Sequence, residues 1–496
     1  MSAQPRSVTL RAHQKLAYGL GSVGDSAVHF SFETFVFFYY TQILGVSGTL
    51  AGFAVMIAMV FDAISDPIAG SLSDSTRSRW GRRHPFMFAG PVPLAVCFYL
   101  LFVPPDGLSE WELFAWLALF CVLSRTFLTM FAVPWLSLGA ELTQDYTGRT
   151  WLVAMRMSFG AIGHMGAAAV GFFVFFQSSD EFPVGHLDPG PYPAYAAFIA
   201  IVVVGVQFVS ALGTLEPARA RYVAPSDGDR FSLRRLLREL RGALRQRSFR
   251  IFVLAGLVFA AAVGVRQTLG LHMNTFFWEL SSEETGRVMV VMLFGLVLGF
   301  PLWARVSQYL GKRRTFQAGL LMMGASVLLP PVLRALGWFP ENDAKAILVP
   351  MVTLFALFAA VGGTGAHLAQ GSMAADIADE NALDTGLRQE GIFFGALNFM
   401  AKCSSGLGHQ LAGISLDAIG LLANAVPGEV PDSTVANLGW IYGGSACAIA
   451  FLAIGLINRY GLTRERIEEI QQKLAERSRS DDSTPNGSAR VILESE

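Results

Sequence analysis

The sequence predicts an all-α membrane protein whose twelve transmembrane helices form two pseudo-symmetric six-helix bundles, and three observations carry that prediction. Of the 496 residues, 53% are hydrophobic and only 15% charged, against a charged share of about 25% in ordinary soluble domains. The apolar residues fall in blocks of about 20 to 28, each long enough to cross a hydrocarbon layer of about 30 Å as a helix. A short basic turn, Gly81-Arg82-Arg83, returns as Gly311-Lys312-Arg313 almost half a chain length later, at the equivalent end of an equivalent block. Two bundles related by duplication are the architecture of carriers that hold their solute between halves, near the membrane midplane.

The elements follow in order. Residues 1–15 are polar, carry Arg6, Arg11 and Lys15, and read as a cytoplasmic N-terminus with no cleavable leader ahead of the first span. The first bundle, 16–214, holds spans at 16–44, 50–73, 85–104, 111–139, 150–177 and 193–214. A linker, 215–249, follows; within it Leu233, Leu236, Leu237, Leu240 and Leu244 share one helical face and arginines the rest, the pattern of an interfacial amphipathic helix. The second bundle, 250–459, holds spans at 250–279, 285–308, 314–337, 345–373, 389–422 and 437–459. The tail, 460–496, opens with a charged helical stretch and then loses its periodicity, so it is expected to be partly disordered.

Charge orients the bundle. Lys and Arg resist translocation, so short basic loops mark the cytoplasmic side. Arg77, Arg79, Arg82 and Arg83, the arginine-rich run 219–250, and Lys312, Arg313 and Arg314 all fall on the side of the termini, whereas loops 45–49, 105–110, 178–192 and 423–436 contain no Lys or Arg. Both termini are therefore expected in the cytoplasm and the chain in a plasma membrane, as in a bacterial inner membrane. The net charge of −1 argues against a nucleic-acid partner. Cys97, Cys121, Cys403 and Cys447 show no paired or ligand-like spacing and read as small buried thiols. No phosphate-binding Gly-rich loop, HExxH or GxSxG element is present, so an enzyme or an ATP-driven pump is not expected.

Ionisable side chains inside a bilayer cost about 2.5 kcal/mol or more each and need a partner, a wet cavity or a task. Asp62 and Asp66 in span 2 stand four residues apart, on one helical face, with Pro67 next to them. Two carboxylates on one face suit a hard cation, and crowding of like charge would let the same pair carry a proton, so Na+ and H+ are both open as coupling ion. Lys402 in span 11 is a buried cation whose first candidate partners are those two acids. Asp25, His29 and Glu33 in span 1 recur at intervals of four, a stripe that can relay a proton or hydrogen-bond a polar solute. Arg125 and Arg156 are the remaining cations of the first half; Arg156 is read either as a substrate contact or as a gating partner of Glu141. Asp74, Gly81, Arg82, Arg83, Glu141 and Arg149 are expected at an inner gate. Arg266, Gln267, His367, Gln370 and Asn398 are scattered polar candidates in the second half. Apart from the coupling ion no cofactor is expected, the partners are a small-molecule substrate and the lipid bilayer, and the carrier is expected to be a monomer.

Several strings resemble one family. KLAYGLGSVGDS (15–26), DAISDPIAGSLSDSTRSRWGRRHPF (62–86), VPWLSLGAELTQDYTGRT (133–150) and TGLRQEGIFFGALNFMAKCSSGLG (385–408) are similar to diagnostic segments of the glycoside-pentoside-hexuronide:cation symporters, the melibiose permease group of the major facilitator superfamily. The resemblance implies the major facilitator fold, with Asp62 and Asp66 as the cation-binding acids, Thr129 as a hydroxyl beside them, Lys402 as the span 11 lysine and Arg156 as a substrate-site arginine. Two departures accompany it: Ala132 and Ser26 stand where sugar-binding relatives carry Asp, although Asp25 lies one residue before Ser26. The expected function is cation-coupled symport, by alternating access, of a sugar, glycoside or related polar solute; the alternative is a lysolipid or other amphiphile, because the family is also similar to animal lysolipid carriers.

Overall fold

In a computed structural model of the chain, residues 10–143, 145–220, 246–385, 390–461 and 464–483 are described. Residues 1–9, most of the linker helix read at 231–250, and the last part of the tail lie outside them. Among the described residues the chain is helical throughout. The twelve principal helices are α1 (Ala12–Ser31, prolonged by π turns at Phe32–Val36 and Tyr39–Ile43), α2 (Gly48–Ser75), α3 (His84–Leu101), α4 (Glu110–Glu141), α5 (Tyr146–Val170, with a π turn at Gly171–Phe175) and α6 (Tyr192–Ala220), then α7 (Arg247–His272, with a π turn at Met273–Phe277), α8 (Ser282–Leu310), α9 (Lys312–Ala335), α10 (Lys345–Thr385), α11 (Glu390–Ala418) and α12 (Asp432–Ile457). A further helix, α13 (Arg464–Ser483), docks on α10.

Local chemistry sets the helix starts. Ser109 and Glu112 form a capping box at α4, with the Ser109 N–H donating to Glu112 Oε2 at 2.7 Å. Ser281 and Glu284 do the same at α8, and the Asp145 carboxylate accepts from Gly148 N at 2.7 Å at α5. Each satisfies N–H groups that the first turn leaves without an intrahelical partner. Gly81 (φ 85°) and Gly311 (φ 75°) make the two basic turns with a backbone that a residue bearing a Cβ rarely adopts.

Ten of the described helices are long and apolar enough to span a membrane by length and composition; α1 and α11 are not among them. These two carry the polar residues singled out above, Asp25, His29 and Glu33 on α1 and Lys402 on α11, and those residues line internal cavities, where apolar character is not demanded.

Two corrections to the predicted spans have physical reasons. Helix α10 continues to Thr385 rather than stopping near 373, because its last turns leave the apolar layer and are held by Lys312, whose ammonium lies 2.7 Å from both oxygens of Asp376. Helix α11 ends at Ala418 rather than 422, where Gly420 takes φ 71° and turns the chain.

Helices α1–α6 pack into one bundle and α7–α12 into the other, chiefly α1 on α5 and α6, α2 on α4, α7 on α11 and α12, and α9 on α10 and α12. The bundles meet mainly along α2–α11 and α5–α8. At the first of these seams the backbones touch: a Cβ on Gly413 would stand 2.0 Å from the carbonyl oxygen of Gly48, and one on Gly52 2.8 Å from that of His409. Small residues permit this approach in membrane helices.

That seam closes the end of the molecule opposite the arginine-rich turns. There the Asp417 carboxylate accepts from Gly48 N (2.7 Å) and Thr49 N (2.8 Å), so a residue of α11 caps the start of α2. Glu283 of α8 likewise accepts from the backbone and hydroxyl of Ser178, both at 2.8 Å. His186, in a 3₁₀ turn at Gly185–Leu187, contacts Ser282 Oγ through Nδ1 (2.8 Å) and Thr275 Oγ1 through Nε2 (2.7 Å). An aromatic cluster including Phe35, Phe172, Phe176, Tyr192 and Tyr195 fills the same end. Toward the arginine-rich end α11 leaves α2: Asn398 and Ala401 are exposed, and nothing lies within 4 Å of where a Cβ on Gly395 would be.

Candidate functional site

The four-residue spacing of Asp62 and Asp66 brings both carboxylates to the face of α2 that meets α4 and α11. Thr129 of α4 donates its single hydroxyl hydrogen between them, with Oγ1 2.8 Å from Asp62 Oδ1 and 3.0 Å from Asp66 Oδ1. Lys402 of α11 reaches across the seam, its Nζ 2.8 Å from Asp62 Oδ2 and 2.6 Å from Asp66 Oδ2. The two acids differ in solvent access: the Asp62 side chain is 5% exposed and that of Asp66 31%. Asp66 is thus the rim of the site and Asp62 its floor.

Behind the floor stands Arg125, with Nη1 3.8 Å from Asp62 Oδ2. The same nitrogen lies 3.2 Å from His29 Nε2, and the guanidinium sits 4.5 Å from the centre of the Phe32 ring. Because an arginine can only donate, His29 Nε2 accepts, and its Nδ1–H donates to the Asp25 carbonyl at 3.0 Å. Two carboxylates therefore face two cations, Lys402 from the opposite half and Arg125 from the same one. The geometry unites all four cation-site residues read from the sequence. It adds Arg125, which the sequence reading left outside the site although it lies one helical turn before Thr129 on the same face of α4.

Asp25, His29, Asp62, Asp66, Arg156 and Lys402 line one chamber of about 670 Å³ between the halves. Glu33 does not join them. Helix α1 passes into a π turn at Phe32–Val36, which interrupts the regular four-residue stripe, and Glu33 faces a second cavity of about 310 Å³. There its Oε2 accepts from Gln267 Nε2 of α7 at 3.1 Å. His164, Leu293 and Leu296 line both cavities, which thus adjoin.

Arg156 is not the partner of Glu141. That carboxylate is taken by Arg82 Nη2 (2.8 Å) and Arg83 Nε (2.9 Å), which leaves Arg156 on the chamber wall. Arg83, buried, also pairs with Asp74 and donates to Ser73 Oγ at 2.6 Å. Arg149 bonds the Thr143 carbonyl (3.2 Å) rather than an acid. These contacts, like Lys312–Asp376, join helices of one half to each other. The residues read as an inner gate thus brace the first bundle internally, as Lys312–Asp376 does the second.

Residues 17–464 match the family model described as MFS/sugar transport protein. The chain belongs to that family. Its relatives include an uncharacterised symporter of Synechocystis sp., 26% identical and matched over 97% of this chain and 99% of that one. A glucuronide carrier protein homolog of Escherichia coli (strain K12) is 25% identical, over 92% of this chain and 95% of its own. Among solved structures, a bacterial homolog of the human lysosomal transporter Spinster, described as inward-facing and unoccupied, superposes with a TM-score of 0.62 at 14% identity over 91% of this chain and 98% of that one; at that identity the likeness is one of fold. The resemblance drawn from the sequence motifs is borne out, and this family member is a multi-pass membrane transporter.

Proposed function

We propose that the protein is a cation-coupled symporter that moves a glycoside or related polar organic solute by alternating access. The observation that carries this reading is the double ion pair from Lys402 to Asp62 and Asp66 across the two halves. An arriving Na+ or H+ competes with the lysine ammonium for the same carboxylate oxygens, so cation binding loosens a bond between the halves. The solute occupies the chamber beside it, where Asp25, His29 and Arg156 offer acceptors and donors to hydroxyl groups. Cation and solute thus meet on one wall, and only the fully loaded or fully empty chamber closes without stranding a charge in a dry site.

The arginine-rich turns support a cytoplasmic placement of that end and of both termini, in a plasma membrane. With the opposite end sealed, the chamber then faces the cytoplasm. The halves 16–214 and 250–459 serve as the two rocking bodies, and a single chain contains the whole site, which supports a monomer as the working unit. A lysolipid or other amphiphile is the second reading, favoured by the apolar lining of the smaller cavity.

The test is uptake into proteoliposomes with imposed Na+ or H+ gradients. Asp66→Asn and Asp62→Asn should each lower gradient-driven accumulation by about 100-fold or more, the scale of losing at least 2.7 kcal/mol of coupling, while solute exchange without a gradient survives. Intact accumulation in both variants would sink the assignment.

A further inference from the structure

The smaller cavity contains a charge that the proposed coupling does not use. Its wall is largely apolar and polarizable, with Phe259, Met292, Met323, Phe355 and Trp278 among its residues. Into this wall α7 projects Arg266. The guanidinium Nη1 lies 3.8 Å from the Met292 sulfur, a weak acceptor, and the Tyr442 hydroxyl, a neutral group, is a side-chain hydrogen-bond partner of the guanidinium. Its Nε is buried without any hydrogen-bond partner. Among the described residues no carboxylate pairs with Arg266; Glu33, on the same cavity, is engaged by Gln267. Arg125 also has buried nitrogens without a hydrogen-bond partner, but it faces a carboxylate, Asp62.

A guanidinium cannot shed its proton to escape an apolar wall. It is retained in an apolar wall at a cost unless something brings it a counter-charge. Arg266 lines a cavity that shares His164, Leu293 and Leu296 with the chamber, so that counter-charge can arrive with the solute. The neighbouring surface suits aromatic or alkyl groups through contact with methionine sulfur and ring faces. Asp25, His29 and Arg156, proposed above to bind hydroxyl groups, line the adjoining chamber, and His164 lines both.

From this arrangement we infer that Arg266 is an anion receptor for the apolar end of the solute: the substrate is an organic acid whose carboxylate, sulfonate or phosphate sits on an aryl or alkyl body, with the hydroxylated part in the larger chamber. This deepens, and rests on, the proposed symport of a glycoside-like solute. The planar fork of Arg266 supplies two parallel donors to such a group, the unpartnered Nε among them. Glu33 across the cavity disfavours a second negative charge there, so a monoanion is preferred.

The experiment is equilibrium binding to the purified full-length chain of three probes: phenyl β-D-glucoside, 4-carboxyphenyl β-D-glucoside and phenyl β-D-glucuronide. The carboxyphenyl compound should bind about 10- to 100-fold more tightly than the neutral glucoside. Arg266→Gln should erase that advantage while still binding phenyl β-D-glucoside, which also shows that the variant is folded; Arg266→Lys should restore part of it. An advantage that is absent in the parent protein, or that persists in Arg266→Gln, overturns the inference. An Arg266-dependent advantage confined to the glucuronide, whose acid is on the sugar, overturns it equally. Binding by none of the three strikes the glycoside reading instead. The inference is then decided by 4-phenylbutyrate against 4-phenylbutanol, where an advantage of the acid that Arg266→Gln removes upholds it and no such advantage ends it.

Discussion

The two ends of this molecule are held together by different kinds of contact. At the end with few basic residues, polar contacts run between the halves: Asp417 caps α2, Glu283 holds Ser178, and His186 plugs between Thr275 and Ser282. At the arginine-rich end the pairs Arg83–Asp74, Arg83–Glu141 and Lys312–Asp376 run within one half. Contacts of the first kind must break for that end to open. Contacts of the second kind can persist throughout a rocking cycle and keep each half rigid. Stability and conformational balance are therefore assigned to different residues, and variants can separate them.

The largest effect is expected at the within-half brace. Lys312→Ala leaves Asp376, whose side chain is 3% exposed, without its bidentate partner, at a cost of about 3–5 kcal/mol. Thermal denaturation should shift down clearly. Thiol labelling of a cysteine placed at Ala412, fully buried near the sealed end (0% exposed), should stay slow; rapid labelling would erase the distinction between the ends. Next comes Asp417→Ala. Its hydrogen bonds to Gly48 and Thr49 are part-buried to exposed, so the sealed form should lose about 1–2 kcal/mol, a 5- to 30-fold rise in the labelling rate. Here the melting temperature should move little.

The smallest effect concerns pH. Burial pushes the His186 imidazole down to about 3, with His272 acting in the same direction and Glu283 against it. Opening the end returns the ring to water and to an ordinary value near 6.5. Between about 3 and 6.5 the open form then binds a proton that the sealed form does not. The contribution of His186 to the seal is therefore full above about 6.5 and fades as pH falls. Opening should increase about threefold from pH 7 to pH 6 by this linkage, read as Ala412→Cys labelling, and His186→Asn should flatten the profile. An unchanged slope in that variant would place the pH response elsewhere.

The sequence displayed some of this plainly and some not at all. The Asp62–Asp66 pair was legible because a four-residue interval fixes two side chains on one face whatever surrounds the helix. Lys402 was legible because a lone cation in an apolar block needs an acid. Arg125 carried the same signal, one turn from Thr129, but nothing in its neighbourhood distinguished it from Arg156. Glu33 misled: its spacing from His29 is regular, whereas the π turn at Phe32–Val36, in which it faces another cavity, leaves no mark in hydropathy. His186 had no signal, since it lies in a loop of ordinary polar composition and acquires its role only from contact with the other half. The length of α10 was missed for a simpler reason, because hydropathy registers the part of a helix that lies in lipid and α10 continues beyond it.

The bare seam between α2 and α11 makes the carrier easy to jam. With the Gly413 α-carbon pressed against the Gly48 carbonyl, there is no room for even one methyl group, and neither contact atom is a side chain that could swing aside. Gly413→Ala would act as a doorstop, wedging the closed end ajar without touching the acids, the lysine or either cavity. A transporter shut by naked backbone can thus be trapped in its opposite posture by three hydrogens and a carbon, which offers a way to capture that posture for direct observation.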